Sequence, residues 1–493
     1  MKRWLHLIHR WLGIALALLV LAWLVSGVVL LYVPRPSLTL AERLQAQAPL
    51  PPTQGLLSAQ QAAQQAGLTG QAQAARLLMQ GPHASWLLQS RESPGRWVAV
   101  DAQSGQRHAA LSQAEALQRA LGRTPGAQPR AALIERDQWT IYGRFKPHSP
   151  FWHVQLDDAL GTEFYLSQAS GEWVQDSTRW ERGWNWLGSV THWLYFTPLR
   201  ADNALWRQVV LWTSGAALGL ALLGLVLGWQ RWRWRGYASG SRSPYREPWQ
   251  RQHHLWGLGA GLVLAAWIFS GWLSMHPWGW NDAASKTRPA QPWAATAGWP
   301  STVPALPTAM AWRELEWRSV NGQTYWLAHT WAQGQRHALL LDAQGQPLPE
   351  GLPAAVMQAA LQAMYPGVAQ EARWLREYDF HYYALRHSQA QGNRPLPVLR
   401  VALADAAATV YYLDPQGARV ALRSDSSDRA DRWLFSALHR WDWPPLHSWP
   451  LARDVVVIGW TLAATVLTLA GCVLAWRRLR QRITIRSKKG RSP

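Results

Sequence analysis

A chain of 493 residues with 49 Lys and Arg against 29 Asp and Glu has room for several domains, and its net charge of +20 raises nucleic acid as a partner. The placement of that charge argues against nucleic acid: 16 of the 20 net positive charges fall within residues 1–10, 231–251 and 477–491, beside apolar runs, while the long stretches between are nearly neutral. The single cysteine, Cys472, excludes internal disulfides, a Cys-ligated iron–sulfur cluster and Cys-x-x-Cys-His haem attachment.

A mean hydropathy of −0.20 hides four apolar runs, at 11–32, 205–229, 255–275 and 455–476. Each has roughly 20 residues or more, enough at 1.5 Å per residue to cross a bilayer core of about 30 Å. Residues 1–33 are the first expected transmembrane helix; the run exceeds a signal-peptide core and lacks a small-x-small site before Pro34-Arg35-Pro36. Residues 34–204 form a first extramembrane region and 205–229 the second span. An Arg-rich loop at 230–253 leads to the third span at 254–275. A second extramembrane region follows at 276–453, then the fourth span at 454–476 and a basic tail at 477–493. Four spans put all three basic segments on one side. The positive-inside rule makes that side, with both termini, cytoplasmic in a bacterial inner membrane.

Both extramembrane regions read as α+β. Helices are expected at 58–66, at 112–121 (opened by the capping-box spacing Ser112-x-x-Glu115) and at 354–364. Strands are expected at 97–100, 164–166, 338–341 and 410–413. These end in Asp101-Ala-Gln-Ser-Gly105, Ser167-Gln-Ala-Ser-Gly171, Asp342-Ala-Gln-Gly345 and Asp414-Pro-Gln-Gly417, where glycine is expected to supply the positive φ of a reversal. Four such endings suggest four small helix-plus-strand modules, two per half.

The halves repeat each other. His9-Arg-Trp-Leu-Gly13, Trp23 and Ser26-Gly27 recur as His253-His-Leu-Trp-Gly257, Trp267 and Ser270-Gly271, at an offset of 244 residues. Trp186-Leu-Gly-Ser-Val-Thr-His192 recurs as Trp433-Leu-Phe-Ser-Ala-Leu-His439, at an offset of 247. Both halves run in the same direction, so their two-fold axis lies along the membrane normal and equivalent residues share a depth. His9 and His253 then pair at the cytoplasmic surface, and His192 and His439 at the periplasmic one. A full bilayer keeps His9 from sharing an ion with His192. Steps of four and three from His9 reach Gly13, Leu16, Val20, Trp23 and Gly27, and the same steps from His253 reach Gly257, Ala260, Leu264, Trp267 and Gly271, one helical stripe in each span. His254 and His6 rival the first pair; His276 and His447 rival the second.

The segments His9–Gly13, Trp186–Arg200, Trp256–Met275, Pro395–Arg400, Tyr411–Gly417 and Arg432–His439 resemble the PepSY-associated transmembrane family, which includes bacterial inner-membrane ferrisiderophore reductases. The resemblance implies PepSY-like periplasmic domains and b-type haem in the membrane. The resemblance does not choose the ligands; the pairing between halves makes His9, His253, His192 and His439 the expected axial ligands of two haems, while the resemblance makes a periplasmic ferric siderophore or other iron complex the expected electron acceptor and an oxidoreductase the expected activity. No fused flavin domain is present in the sequence, so the donor, a quinol or a reductase partner, stays open. A non-enzymatic PepSY scaffold that binds a partner or regulates a protease is the alternative. The fold class expected is an α-helical integral membrane protein of four transmembrane helices in two parallel repeats, with α+β PepSY-like periplasmic domains. A polar-aromatic run from Glu377 to His387, with an approximate counterpart from Asp137 to His148, offers a surface for a ligand or partner or simply a half-exposed strand.

Overall fold

A computed structural model describes residues 2–93, 95–281, 298–384, 394–443, 446 and 448–489. The chain divides into a helical unit (Met1–Arg35, Gly183–Lys286 and Asp428–Pro493) and a sheet unit (Pro36–Arg182 and Thr287–Ser427).

Four helices are long and apolar enough to cross a membrane: span 1 (Lys2–Tyr32), span 2 (Asn203–Arg231), span 3 (Pro248–Leu273) and span 4 (Pro450–Lys489). Spans 1 and 2, 2 and 3, 3 and 4, and 4 and 1 pack as neighbours, forming a ring. Capping sets their starts. The Asp202 carboxylate accepts from the N–H groups of Ala204 and Leu205. Glu247 accepts from Gln250, with Pro248 at the first helical position, where it loses no hydrogen bond. Span 3 therefore begins six residues before the expected 254, and His253 stands inside it rather than in the loop. Span 4 continues through the tail expected at 477–493 as far as Lys489, and residues 477–489 contain no glycine or proline to break it. Val20, Leu24, Ala217, Ala260, Leu264, Ile268, Ala464 and Leu467 fill the middle of the ring, with Trp23 and Trp267 against them.

Two shorter stretches, each continuing into the helical unit, duplicate each other. Arg179–Asn185 leads through a π-helical turn, Trp186–Val190, to Thr191–Trp193, and Leu194 ends it in the left-handed region (φ 51°). Ser426–Asp431 leads through a π-helical turn, Arg432–Ala437, to Leu438–Arg440, and Trp441 ends it likewise (φ 55°). Single π turns recur at functional positions, because the extra residue re-aims the side chains that follow.

The sheet unit holds β1 (Ala72–Gln80), β2 (His83–Ser90), β3 (Val98–Asp101), β4 (Arg130–Ile134), β5 (Phe151–Gln155), β6 (Glu163–Ser167) and β7 (Trp173–Ser177) from the first region. The second supplies β8 (Glu314–Val320), β9 (Gln323–Ala332), β10 (Gln335–Leu341), β11 (Gln370–Leu375), β12 (Val398–Leu403), β13 (Val410–Asp414) and β14 (Arg419–Ser424). Strands β4–β7 and β11–β14 are separate antiparallel meanders. The other six fuse into one sheet of order β10-β9-β8-β1-β2-β3, with Arg76 opposite Glu316 at the junction. The two regions thus share a core instead of standing as independent halves. Trp86 and Trp326, both fully buried and 240 positions apart, meet beneath that junction with ring centroids 6.0 Å apart.

The expected helices form at Ala59–Gln65, Gln113–Arg123 and Ala354–Met364, the first two with complete capping boxes at Ser58 and Ser112. The module that supplies β8–β10 brings no such helix before its strands among the described residues. Three of the four turns behave as read, with Gly105, Gly171 and Gly345 at positive φ. The fourth differs: Ala418 carries the positive φ, and Gly417 is needed because a Cβ there would strike the Asp414 carboxylate.

Candidate functional site

The structure brings together both histidine pairs read from the sequence. His9 of span 1 and His253 of span 3 meet across the ring, with imidazole centroids 6.2 Å apart and planes at 50°. His192 and His439, each carried just beyond a π-helical turn, meet with centroids 6.0 Å apart and planes at 71°. Two imidazoles that ligate one ion from opposite sides, each through a metal–nitrogen bond of about 2 Å, also place their centroids about 6 Å apart. The pairs are separated by roughly 25 Å along the helices, judged from the 18 positions between His9 and Gly27.

Three of the four rings are held in a way that frees one nitrogen. Nδ1 of His253 donates to the Leu467 carbonyl at 3.2 Å, and Nδ1 of His439 to the Trp267 carbonyl and to Ser270 Oγ, both at 3.1 Å. The Ser26 hydroxyl donates to the Ala22 carbonyl at 2.7 Å, so it accepts from Nδ1 of His192 at 3.0 Å. His9 Nδ1 faces the Leu220 carbonyl, the repeat equivalent of Leu467, without closing a hydrogen bond. A carbonyl cannot donate, so the proton sits on Nδ1 and the lone pair on Nε2, the tautomer a metal-ligating histidine adopts. Among the described residues, Nε2 of none of the four makes a hydrogen bond.

A glycine from a neighbouring segment lies against every one of these rings. A Cβ at Gly224 would stand 2.8 Å from Cε1 of His9, and one at Gly471 3.3 Å from Cε1 of His253. At Gly271 the distance to His439 would be 3.2 Å, and at Gly27 the distance to His192 would be 3.6 Å. Gly27 and Gly271 lay on the stripes read from the sequence. Gly224 and Gly471 were missed, although the 247-residue offset between spans 2 and 4 makes them equivalent. Gly13 and Gly257, the small residues nearest the first pair in sequence, instead receive Leu220 and Leu467.

The His9/His253 pair opens on a cavity of about 650 Å³ lined from all four spans, with His6, Arg10, Glu247, Arg477 and Arg478 toward the end that carries the termini. Its volume lies within the ~300–1,000 Å³ usual for cofactor pockets. The indole N–H groups of Trp23 and Trp267 are buried without a hydrogen-bond partner among the described residues, which leaves two repeat-equivalent donors unused in the interior.

The rival histidines are placed differently. His254 spends both nitrogens, one on Ser243 Oγ and one on the Gly228 carbonyl, each at 2.9 Å, and so ties the Arg-rich loop to span 2. His6 lies at the cavity mouth, and His276 sits at positive φ with its carbonyl accepting from Arg207. His447 and the end of the 377–387 run lie outside the described residues. Within the described part of that run and its counterpart, one aspartate each holds a loop: the Tyr165 hydroxyl donates to Asp137 at 2.6 Å, and Tyr412 to Asp379 at 3.4 Å, each aspartate also capping its own loop.

A second polar cluster lies inside the sheet unit. Arg76 bridges Glu172 and Glu314, and Arg43 reaches both carboxylates. Beside them, burial works to raise the Glu316 carboxyl, but Arg318 and His329 hold it down at about 2. Equal numbers of arginines and carboxylates neutralise one another here, so the network joins strands rather than presenting a charged site.

No family model, no curated protein and no solved structure matches this chain.

Proposed function

We propose that the chain is a haem b electron-transfer protein of a bacterial inner membrane, with both termini cytoplasmic. It would hold two haems between its repeats and reduce a ferric siderophore or other iron complex on the periplasmic side. The observation that carries this reading is the pair-by-pair meeting of His9 with His253 and of His192 with His439, three of the four rings held through Nδ1 and Nε2 unbonded in all four among the described residues. The resemblance of the histidine-bearing segments to PepSY-associated transmembrane reductases supports the same assignment, and the positive-inside charge pattern supports the orientation.

Haem iron, when bound, supplies one-electron chemistry that side chains lack. The four histidines would be its axial ligands. The Leu467 and Trp267 carbonyls and the Ser26 and Ser270 hydroxyls fix the tautomer and aim the rings. Apolar side chains line the space between the two pairs. Reduction of the acceptor from Fe(III) to Fe(II) takes up one electron and weakens the hold of hard oxygen ligands, which releases iron. The electron enters from a quinol or a reductase partner.

Purified from haem-replete cells, the protein should be red, with split b-type α-bands after dithionite reduction. A colourless preparation would overturn the reading and leave a non-enzymatic PepSY-type scaffold.

A further inference from the structure

The two halves differ at several positions beside the far-end pair, and one difference falls on the orientation of an imidazole. Phe435, one helical turn before His439, stacks on its ring with centroids 5.0 Å apart and planes at 20°. The guanidinium of Arg440 lies 5.9 Å from the centroid of the same phenyl ring and is steered by Ser436 Oγ at 2.8 Å. The phenyl ring thus contacts both the guanidinium and the imidazole. With Nδ1 fixed on Ser270 and Trp267, His439 is restrained both along its edge and over its face.

The repeat equivalent of Phe435 is Gly188, where a Cβ would stand 2.9 Å from Cγ1 of Val29 in span 1 and force one of them to shift. His192 therefore has no ring stacked on it from that position. At the other end of the bundle, His9 has no bond at Nδ1. Of the four imidazoles, only His439 is locked by a stack among the described residues. Its pair is also the more crossed of the two, at 71° against 50°.

We propose that Phe435, backed by Arg440, is a positioning residue that holds the His439 imidazole crosswise to His192 and makes the two haem sites inequivalent, the far-end site having the higher potential. This rests on the bis-histidine reading above. Axial-ligand orientation is among the protein's means of tuning a haem, through the iron d orbitals that face each imidazole and through the ruffling that crossed rings favour. Crossed rings give low-spin ferric iron a strongly anisotropic electron paramagnetic resonance signal at high g and raise its potential relative to aligned rings. A higher far-end potential favours electron flow away from the end that carries the termini.

The test uses the full-length protein in nanodiscs, with haem content, electron paramagnetic resonance spectra and redox titrations measured together. The wild type should carry two haems, one with the strongly anisotropic signal and the higher midpoint potential. Phe435→Gly, which copies the other half, should convert that signal to a rhombic one and lower that potential, leaving the other haem unchanged. Phe435→Leu and Arg440→Gln serve if the glycine variant is unstable, and each should move the signal the same way with both haems retained. Two haems with unchanged spectra and potentials in these variants would overturn the positioning role while leaving the proposed function intact. Absence of haem from the wild type would overturn both.

Discussion

The two ends of the helical bundle solve the same problem with different structural means. At the end that carries the termini, His9 and His253 belong to the long spans themselves and open on a cavity, and one of the two rings is not yet hydrogen-bonded. At the far end, His192 and His439 ride on short π-turned helices and are fastened by serine hydroxyls that adjoin in sequence the glycines they touch. A histidine inside a long helix is placed by that helix alone and needs room made around it. One on a short segment needs to be pinned by its neighbours. The far-end pair is therefore the more rigidly prepared, and the near pair the more adaptable.

Substitutions at the glycines should expose that contrast most strongly. Gly224→Ala places a methyl group 2.8 Å from His9, where the ring must move, whereas Gly27→Ala meets His192 at an ordinary 3.6 Å. Haem retained per chain after challenge with apomyoglobin should fall several-fold for Gly224→Ala, less for Gly271→Ala and Gly471→Ala, and hardly for Gly27→Ala. Equal losses at all four would erase the distinction between made room and pinning. The serines come next. Removing one hydroxyl costs about 1 kcal/mol of hydrogen bonding, and Ser26→Ala and Ser270→Ala should each weaken haem retention modestly, because each serine oxygen meets the Nδ1 of its histidine. The smallest effect is expected at His254. His254→Gln should leave the haem count at two while lowering thermal stability, since both nitrogens of His254 serve the loop. Loss of a haem in that variant would make His254, not His253, the ligand.

Most of the site was legible because the duplication encodes it twice: equal offsets at His9/His253 and His192/His439 required pairing between halves once the direction of the spans was known. The serines were visible as markers of the repeat, but their hydroxyl contacts were not, since Ser26 and His192 are far apart in the chain. Gly224 and Gly471 escaped notice because glycine is common in apolar spans, and only their contact with a ring distinguishes them. The π-helical turns left no periodicity to read. In the sheet unit, the capping boxes and turn residues marked local elements, whereas the pairing of β1 with β8 joins segments more than 200 residues apart and had no local signature. The divergence of Phe435 from Gly188 was in plain view, yet it acquired meaning only when the phenyl ring was found stacked on His439.

The central claim is that each cofactor is shared between halves, and haem quantification in double variants tests it most directly. A His9→Ala/His253→Ala protein should retain one haem, as should a His192→Ala/His439→Ala protein, whereas His9→Ala/His192→Ala should retain none. Retention of one haem by the last variant, with none in the first two, would show that the histidines pair within each half and would contradict the account.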